Sequence, residues 1–208
     1  MGNFSLTRRK VDSILNGMSG SVAASSNAPA KAAANHGSEE TILAFDLPLA
    51  TVRLRALRES DNLALEWHGG ADLRSFYEAQ YWAHSSGEAF VVVADFNDVP
   101  IGQAAIYWHG KLSHPDIPDL QSVRVHPAFQ GQGIGTRLFE AAEMVVRARG
   151  LRHLSLSVGA DNPGARRLYE RLGFRVTSEP YQDAWQYVNA RGEIVPVTET
   201  VLDMIKEL

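Results

Sequence analysis

Cysteine is absent from this chain of 208 residues. That excludes structural disulfides, thiolate catalysis and cysteine-based zinc sites, and it fits a reducing cytoplasm, the expected location. An excess of positive charge is missing too. The formal net charge is −4, so there is no broad basic field to hold nucleic acid as a main ligand. No apolar run approaches the roughly 20 residues that span a bilayer, and no membrane association is expected. The seven histidines show no metal-ligand spacing, so no metal is expected either. The tract 17–38 is mostly Ala, Ser, Asn and Gly and has no acidic residue. Its few apolar side chains do not offset the entropy of ordering it. Residues 1–46 are therefore expected to be a flexible tail, with a short helix over 6–15 allowed by the pattern, and residues 47–208 one folded domain. The cluster Arg8, Arg9 and Lys10 is followed by no apolar core of 7–15 residues, which excludes a secretory signal.

What the chain does have is a dense centre. Val123-Arg-Val-His-Pro127 reads as a half-buried strand ended by proline, which has no N–H for the ladder. Glycines follow at 131, 133 and 135, and Ile134, Leu138, Ala141, Val145 and Ala148 then recur at helical steps. A strand, a glycine loop and a helix N-terminus in succession leave several N–H groups unpaired beside a positive helix end, a setting suited to phosphate. The loop lacks the lysine of a Walker P-loop. It also lacks the Gly-x-Gly-x-x-Gly spacing and the downstream acid of a dinucleotide fingerprint. A plain glycine turn into a helix is the remaining alternative.

Around this centre the chain reads as alternating strands and helices. Val52, Leu54 and Ala56 alternate with Arg53 and Arg55, as in an edge-like first strand, and Ser60-Asp61 reads as a helix cap before Leu63 to Trp67. A helix over 73–84 carries Phe76, Tyr77, Tyr81 and Trp82, mostly as core. Residues 90–94 and 101–108 form a hairpin about Asn97-Asp98, and 109–118 is a polar loop. Leu154, Leu156 and Val158 mark another strand. Asn162-Pro163 opens a helix with the apolar stripe Ala165, Leu168 and Leu172, and Gly173 stops it. Residues 174–176 and 185–195 extend the sheet, and 201–206 is ambiguous between strand and helix.

Gln130-x-x-Gly133-x-Gly135 after the Val-x-Pro strand end resembles motif A of the GNAT superfamily of N-acetyltransferases. Asn162-Pro-Gly-Ala165 to Tyr169 and Gly173-Phe174 resembles the family's next motif, in the right order. The resemblance spans about residues 50–208. It implies an α/β (α+β) fold with a mixed, mostly antiparallel central sheet flanked by helices, and acetyl-CoA as cosubstrate. By the same resemblance, the backbone of Val123, Arg124 and Val125 binds the pantetheine arm. Gln130, Gly131, Gln132, Gly133, Ile134, Gly135 and Thr136 take the pyrophosphate, Asn162 touches the pantetheine side, and Tyr169 protonates the leaving thiolate.

Acetyl transfer to an amine also needs that amine neutral, although a lysine-like amine has a pKa of about 10.4. The base is Asp119, just before the central strand, or Glu66, or a water chain; a solvated loop acid is the plain alternative for Asp119. Tyr169 lies beside the apolar stripe and reads either as the acid or as a core aromatic. His126 is expected at a solvent-facing strand end. The acceptor, an amine of a small molecule or of a protein, is expected near Glu66, Trp67, the 109–118 loop and Tyr181 to Trp185. The protein would act as a monomer or homodimer. A competing reading is a non-catalytic acyl-CoA-binding or protein-interaction module on the same fold.

Overall fold

The computed structural model describes residues 41–47 and 50–208, with side chains from Thr51 onward. Its first strand, β1 (Thr41–Leu47), pairs antiparallel with β2 (Ala50–Ala56). The sheet thus starts inside the span expected to be tail, because averaging over 1–46 hid a run containing Ile42, Leu43 and Phe45. Residues 1–40, including the segment 6–15, lie outside the described residues. β2 is no edge strand, since β3 (Ala89–Phe96) flanks its other side.

β2 also carries a buried cation. Arg55 is 4% exposed and reaches Asp61 Oδ2 at 2.7 Å and Asp95 Oδ2 at 2.6 Å. Asp61 opens the short helix α1 (Asp61–Ala64), yet Ser60 makes no side-chain cap there. Asp61 instead accepts from Arg55 and from the Arg58 N–H. The residues read as a cap are therefore a buried ion-pair network. A 3₁₀ turn, Leu65–Trp67, follows, and then α2 (Arg74–Ser86).

Asn97 and Asp98 both have positive φ, which lets a two-residue turn follow the sheet twist. It joins β3 to β4 (Val99–Tyr107). β5 (Asp119–Val125) is next, followed by α3 (Ile134–Ala148), β6 (His153–Gly159) and α4 (Pro163–Arg171). Last come β7 (Arg175–Val176), β8 (Tyr181–Val188) and β9 (Ile194–Glu207). The ambiguous stretch 201–206 is strand, because it fills the place between β6 and β7. The order is β1-β2-β3-β4-β5-β6-β9-β7 with β8 on β9, all antiparallel except β5 and β6.

The sheet has two unlike faces. On one, α3 lays Ile134, Leu138, Ala141, Ala142 and Val146 on Val92, Ala104, Leu120, Leu154 and Leu156, the main core. Ala165 and Tyr169 of α4, and Leu172 at its C-terminal cap, pack against the same core. On the other face α2 contributes Tyr77 to a smaller cluster with Val91, Val93 and Ala105.

Candidate active site

β5 and β6 are parallel neighbours whose ladder is recorded only at Asp119 and Ser155. Beyond that pair no register partner joins the two strands. The cause lies partly in β5 itself. Ser122 has φ 55°, and the register with β4 slips between Gln103 and Ala105, so two residues of β5 oppose one of β4. Such a bulge bends the strand and raises its twist. His126 N–H donates to Ile101 O at 2.7 Å. By the alternation of an antiparallel ladder, the Arg124 amide faces β4, while those of Val123 and Val125 face the gap toward β6. Gln130 Nε2 donates to Val125 O at 3.0 Å on that edge. The gap is thus a slot with unpaired backbone groups, suited to an extended arm that carries amides. It opens into a cleft of about 310 Å³ lined by Trp67, His68, Val123, Arg124, Val125, Pro127 and Gln130.

The glycine loop stands at the mouth of this slot. Gly131 and Gly133 have φ of 74° and 82°, a backbone that itself favours glycine. Gly135 is different. It is helical, and an added Cβ would meet nothing nearer than Val125 Cγ2 at 4.0 Å. Alanine would be preferred there by about 1 kcal/mol on helix propensity. Among the described residues nothing calls for glycine at 135; the room it leaves suits a group from outside. The first intrahelical bond runs from Arg137 N–H to Gly133 O, so the N–H groups of Ile134, Gly135 and Thr136 precede the ladder. Ile134 itself is 1% exposed, so only its backbone is available to a ligand. Gln132 Nε2 reaches Ala128 O at 3.4 Å and braces the loop. A pyrophosphate fits this cradle.

Asn162 caps α4, its Oδ1 accepting from Ala165 N–H at 3.0 Å. Tyr169, nearly two turns along, sits half-buried with its ring 5.4 Å from Phe139 and 6.3 Å from Phe174. The ring packs on the core, and its hydroxyl has no hydrogen-bond partner among the described residues. Burial pushes its pKa up, so the phenol keeps its proton.

Asp119 is not a solvated loop acid. It is the first residue of β5 and 2% exposed, with Ser155 Oγ and Gln121 Nε2 each donating to it at 2.9 Å. Burial pushes its pKa above the usual carboxylate value, and the charge of Lys111 and the hydrogen bonds from Gln121 and Ser155 offset that in part. Next to it stands a cluster in which Lys111 and Tyr181, from stretches expected to rim the acceptor, meet Ser157 and Asp203, which the sequence reading missed. Lys111 Nζ donates to Asp203 Oδ1 at 2.8 Å and to the Tyr181 hydroxyl at 2.9 Å, and Ser157 Oγ also donates to Asp203. The Tyr181 hydroxyl donates to Asp203 Oδ1 as well, at 2.8 Å. Burial opposes the charge on Asp203, but the three donors Lys111, Tyr181 and Ser157 outweigh it and hold its carboxyl below the usual range. Asp203 interrupting Val201-Leu-Asp-Met-Ile205 was the one available signal, a charge inside an apolar run.

On the α2 face the acceptor candidates separate. Glu66 is bound by Arg74 at 2.6 Å. Trp67 donates its indole N–H to Pro100 O and stands edge-on to His126, 5.1 Å between ring centres. His126 is therefore no solvent-facing strand end; its Nδ1 caps the turn Pro127–Phe129. Trp185 of β8 lies 6.0 Å from Phe76, and Phe76 lies under the Arg124 guanidinium. Arg124 thus meets the slot only through its backbone. Its side chain crosses to the α2 face, where Nη1 lies 3.0 Å from His68 Nδ1 and 3.5 Å from the Tyr77 hydroxyl.

A family model described as the acetyltransferase (GNAT) family matches residues 54–174. An uncharacterised N-acetyltransferase of Methanocaldococcus jannaschii is 34% identical over 95 residues, 45% of this chain and 42% of that protein. The L-2,4-diaminobutyric acid acetyltransferase of Streptomyces coelicolor is 31% identical over 116 residues, 52% of this chain and 65% of its own length. The chain spans less than two thirds of both relatives. In fold, a GNAT family acetyltransferase from Elizabethkingia anophelis, solved with acetyl-CoA bound, gives a TM-score of 0.50 at 21% identity, over 76% of this chain and 98% of that one. With a slot between β5 and β6, a glycine cradle at the start of α3 and a family match over more than half its length, the chain belongs to the acetyltransferase (GNAT) family.

Proposed function

We propose that the protein transfers an acetyl group from acetyl-CoA to a primary amine by direct attack. The observation that carries this is Gly135, a helical glycine that faces open space at the N-terminus of α3 and the mouth of the slot. Backbone groups of Val123 and Val125 would hold the pantetheine arm, and the loop from Gln130 to Thr136 the pyrophosphate. Bound there, acetyl-CoA supplies an activated acetyl thioester; a nitrogen–carbon bond forms and the carbon–sulfur bond breaks.

Two protons must then move. Tyr169 holds one at its hydroxyl and would give it to the departing thiolate, a role that its raised pKa leaves intact at neutral pH. Asp119 would take the proton from the amine. Its raised pKa brings the carboxylate closer to the working pH of a general base, whereas Glu66 is held by Arg74. Trp67 and Trp185 would line the acceptor's path. The Streptomyces relative is named for the acetylation of L-2,4-diaminobutyric acid, a molecule with two amines; for this chain the amine belongs to a small molecule or a protein. The slot faces reducing, soluble surroundings in this reading, and a monomer or homodimer suffices.

The test is release of free thiol from acetyl-CoA with a panel of amines, together with calorimetric binding of acetyl-CoA. Gly135→Leu should lower acetyl-CoA affinity by about 10²-fold, the loss of one or two charge-assisted hydrogen bonds. Unchanged affinity in that variant would contradict the cradle. Tight binding without turnover of any amine would favour a non-catalytic module.

A further inference from the structure

Three cations drawn into the interior of this molecule come with carboxylates. Arg55 has Asp61 and Asp95, Lys111 has Asp203, and Lys206 has Glu143. Arg149, stacked on the Trp108 ring, departs from that pattern, and so does Arg124, half-buried in the cleft wall. Among the described residues no carboxylate pairs with it. Its neighbours are neutral: His68, Tyr77 and the face of Phe76, 5.4 Å from the guanidinium carbon. A guanidinium keeps its proton in proteins, so Arg124 donates and His68 Nδ1 must accept. The imidazole is then neutral and carries its proton on Nε2. Burial and the charge of Arg124 both lower the pKa of His68, in keeping with that state. The result is a fixed positive charge in a cleft, held in place by a neutral imidazole and a phenol.

The orientation narrows what such a charge is for. Only Nη1 is committed to these contacts. Nε–H and Nη2–H form the side-on edge of the fork, which matches the two oxygens of a carboxylate. Arg124 stands between Val123 and Val125, whose amides line the slot, and its side chain projects from the opposite face to the core under α3 and α4. That core face is closed by packed side chains. An acceptor must therefore approach from the α2 face and pass the guanidinium. A lone cation with neutral neighbours suits a monoanion better than a phosphate, which attracts several donors.

We infer that Arg124, poised by His68 and Tyr77 in the cleft wall, binds a carboxylate of the acceptor, so that the acceptor is an amine that also carries a carboxylate, as an amino acid does. This rests on the acetyl-transfer reading above and names the substrate class of the same site.

The test uses the full chain with acetyl-CoA and matched acceptors: amino acids, their carboxamides and the corresponding decarboxylated amines, read by thiol release. Wild-type kcat/KM should favour the acid over its amide by about tenfold or more, the range for a hydrogen bond to a charged group. In Arg124→Gln that ratio should fall toward one, and Arg124→Lys should restore part of it, since lysine returns the charge without the fork. Melting temperature and acetyl-CoA affinity, measured on each variant, separate loss of folding from loss of recognition. Equal use of acids and amides by the wild-type protein would overturn the inference while leaving acetyl transfer standing, and that arm needs no variant. An acid preference that survives Arg124→Gln would overturn the assignment to this residue. If acetyl-CoA binds and no amine of any kind is acetylated, the transfer reading fails and the inference with it.

Discussion

The two faces of the sheet divide the work. Under α3 and α4 the contacts are nearly all apolar: Leu138 and Phe139 on Leu120, Leu154 and Phe174, with Tyr169 at the border. Across the sheet, under α2 and beside β8, polar and aromatic groups meet instead. Arg55 bridges two aspartates, Gln103 donates to Gln80 at 2.9 Å, and Arg124 lies among His68, Tyr77 and Phe76. An apolar face is non-directional, and side chains of similar volume fill it. A polar face is directional, because each buried donor or acceptor has to find its partner. In the proposed function the first face would build the cofactor platform, and the second would hold what differs from one acceptor to another.

The largest effect that would sharpen this division is at its border. Tyr169→Phe keeps the ring against Phe139 and removes only the hydroxyl. The chemical step should slow by about 10²–10⁴, with acetyl-CoA affinity nearly unmoved. Single-turnover kinetics with a good acceptor measures this, and an unchanged chemical step would return Tyr169 to the apolar face as packing.

On the polar face the next effect is on stability. Asp61→Ala leaves Arg55 buried with Asp95 alone and strips the acceptor from Arg58 N–H. Breaking a buried pair in this way costs about 3–5 kcal/mol, which denaturant unfolding reads directly. A loss below about 1 kcal/mol, the size of an exposed pair, would mean that water reaches the network and that the face is not tightly built.

Trp185→Ala should act more gently. The ring is 37% exposed and touches Phe76 and Tyr187, so the acceptor KM should rise by a few fold, the worth of about one aromatic contact, while acetyl-CoA binding is preserved. Parallel losses in both ligands would show that β8 supports the whole site and would blur the division between faces.

The smallest effect is the pH dependence from His68. Its pKa is lowered in the folded protein, so below the ordinary value of about 6.5 the unfolded chain binds a proton that the native state refuses. Stability therefore falls as pH drops through that value, and protonation also sets the imidazole against Arg124. Relative to wild type, His68→Asn should flatten the melting-temperature profile between pH 7.5 and 5.5, a range of about one unit either side of that ordinary value. A profile identical to wild type would show that His68 titrates as if exposed.

How much of this was legible beforehand follows the same division. The strand, loop and helix at 119–148 could be read because their signals are local: an alternation, a proline and three glycines, then a 3.6-residue period. The hairpin at Asn97-Asp98 and the cap at Asn162 were local too. Asp61 was misread because a capping residue and an ion-pair partner look alike until Arg55 is known to lie 2.7 Å away. β1 was lost in a compositional average. Asp119 read either as a base or as a solvated loop acid, because the cover that decides its burial, Ser155 of β6 and the Lys111–Asp203 pair, is brought to it only by the fold.

By itself the sequence determined the family, through two motifs in the right order, and that resemblance named the glycine loop and Tyr169 as candidates for the cofactor cradle and the acid. Only the tertiary structure decided which face of β5 each side chain takes, and with it the separation of Arg124's backbone from its guanidinium. The physical reason is the bulge at Ser122. One extra residue in a strand reverses which side chains point up and which point down beyond it, and no count of alternating letters shows where that residue has been added.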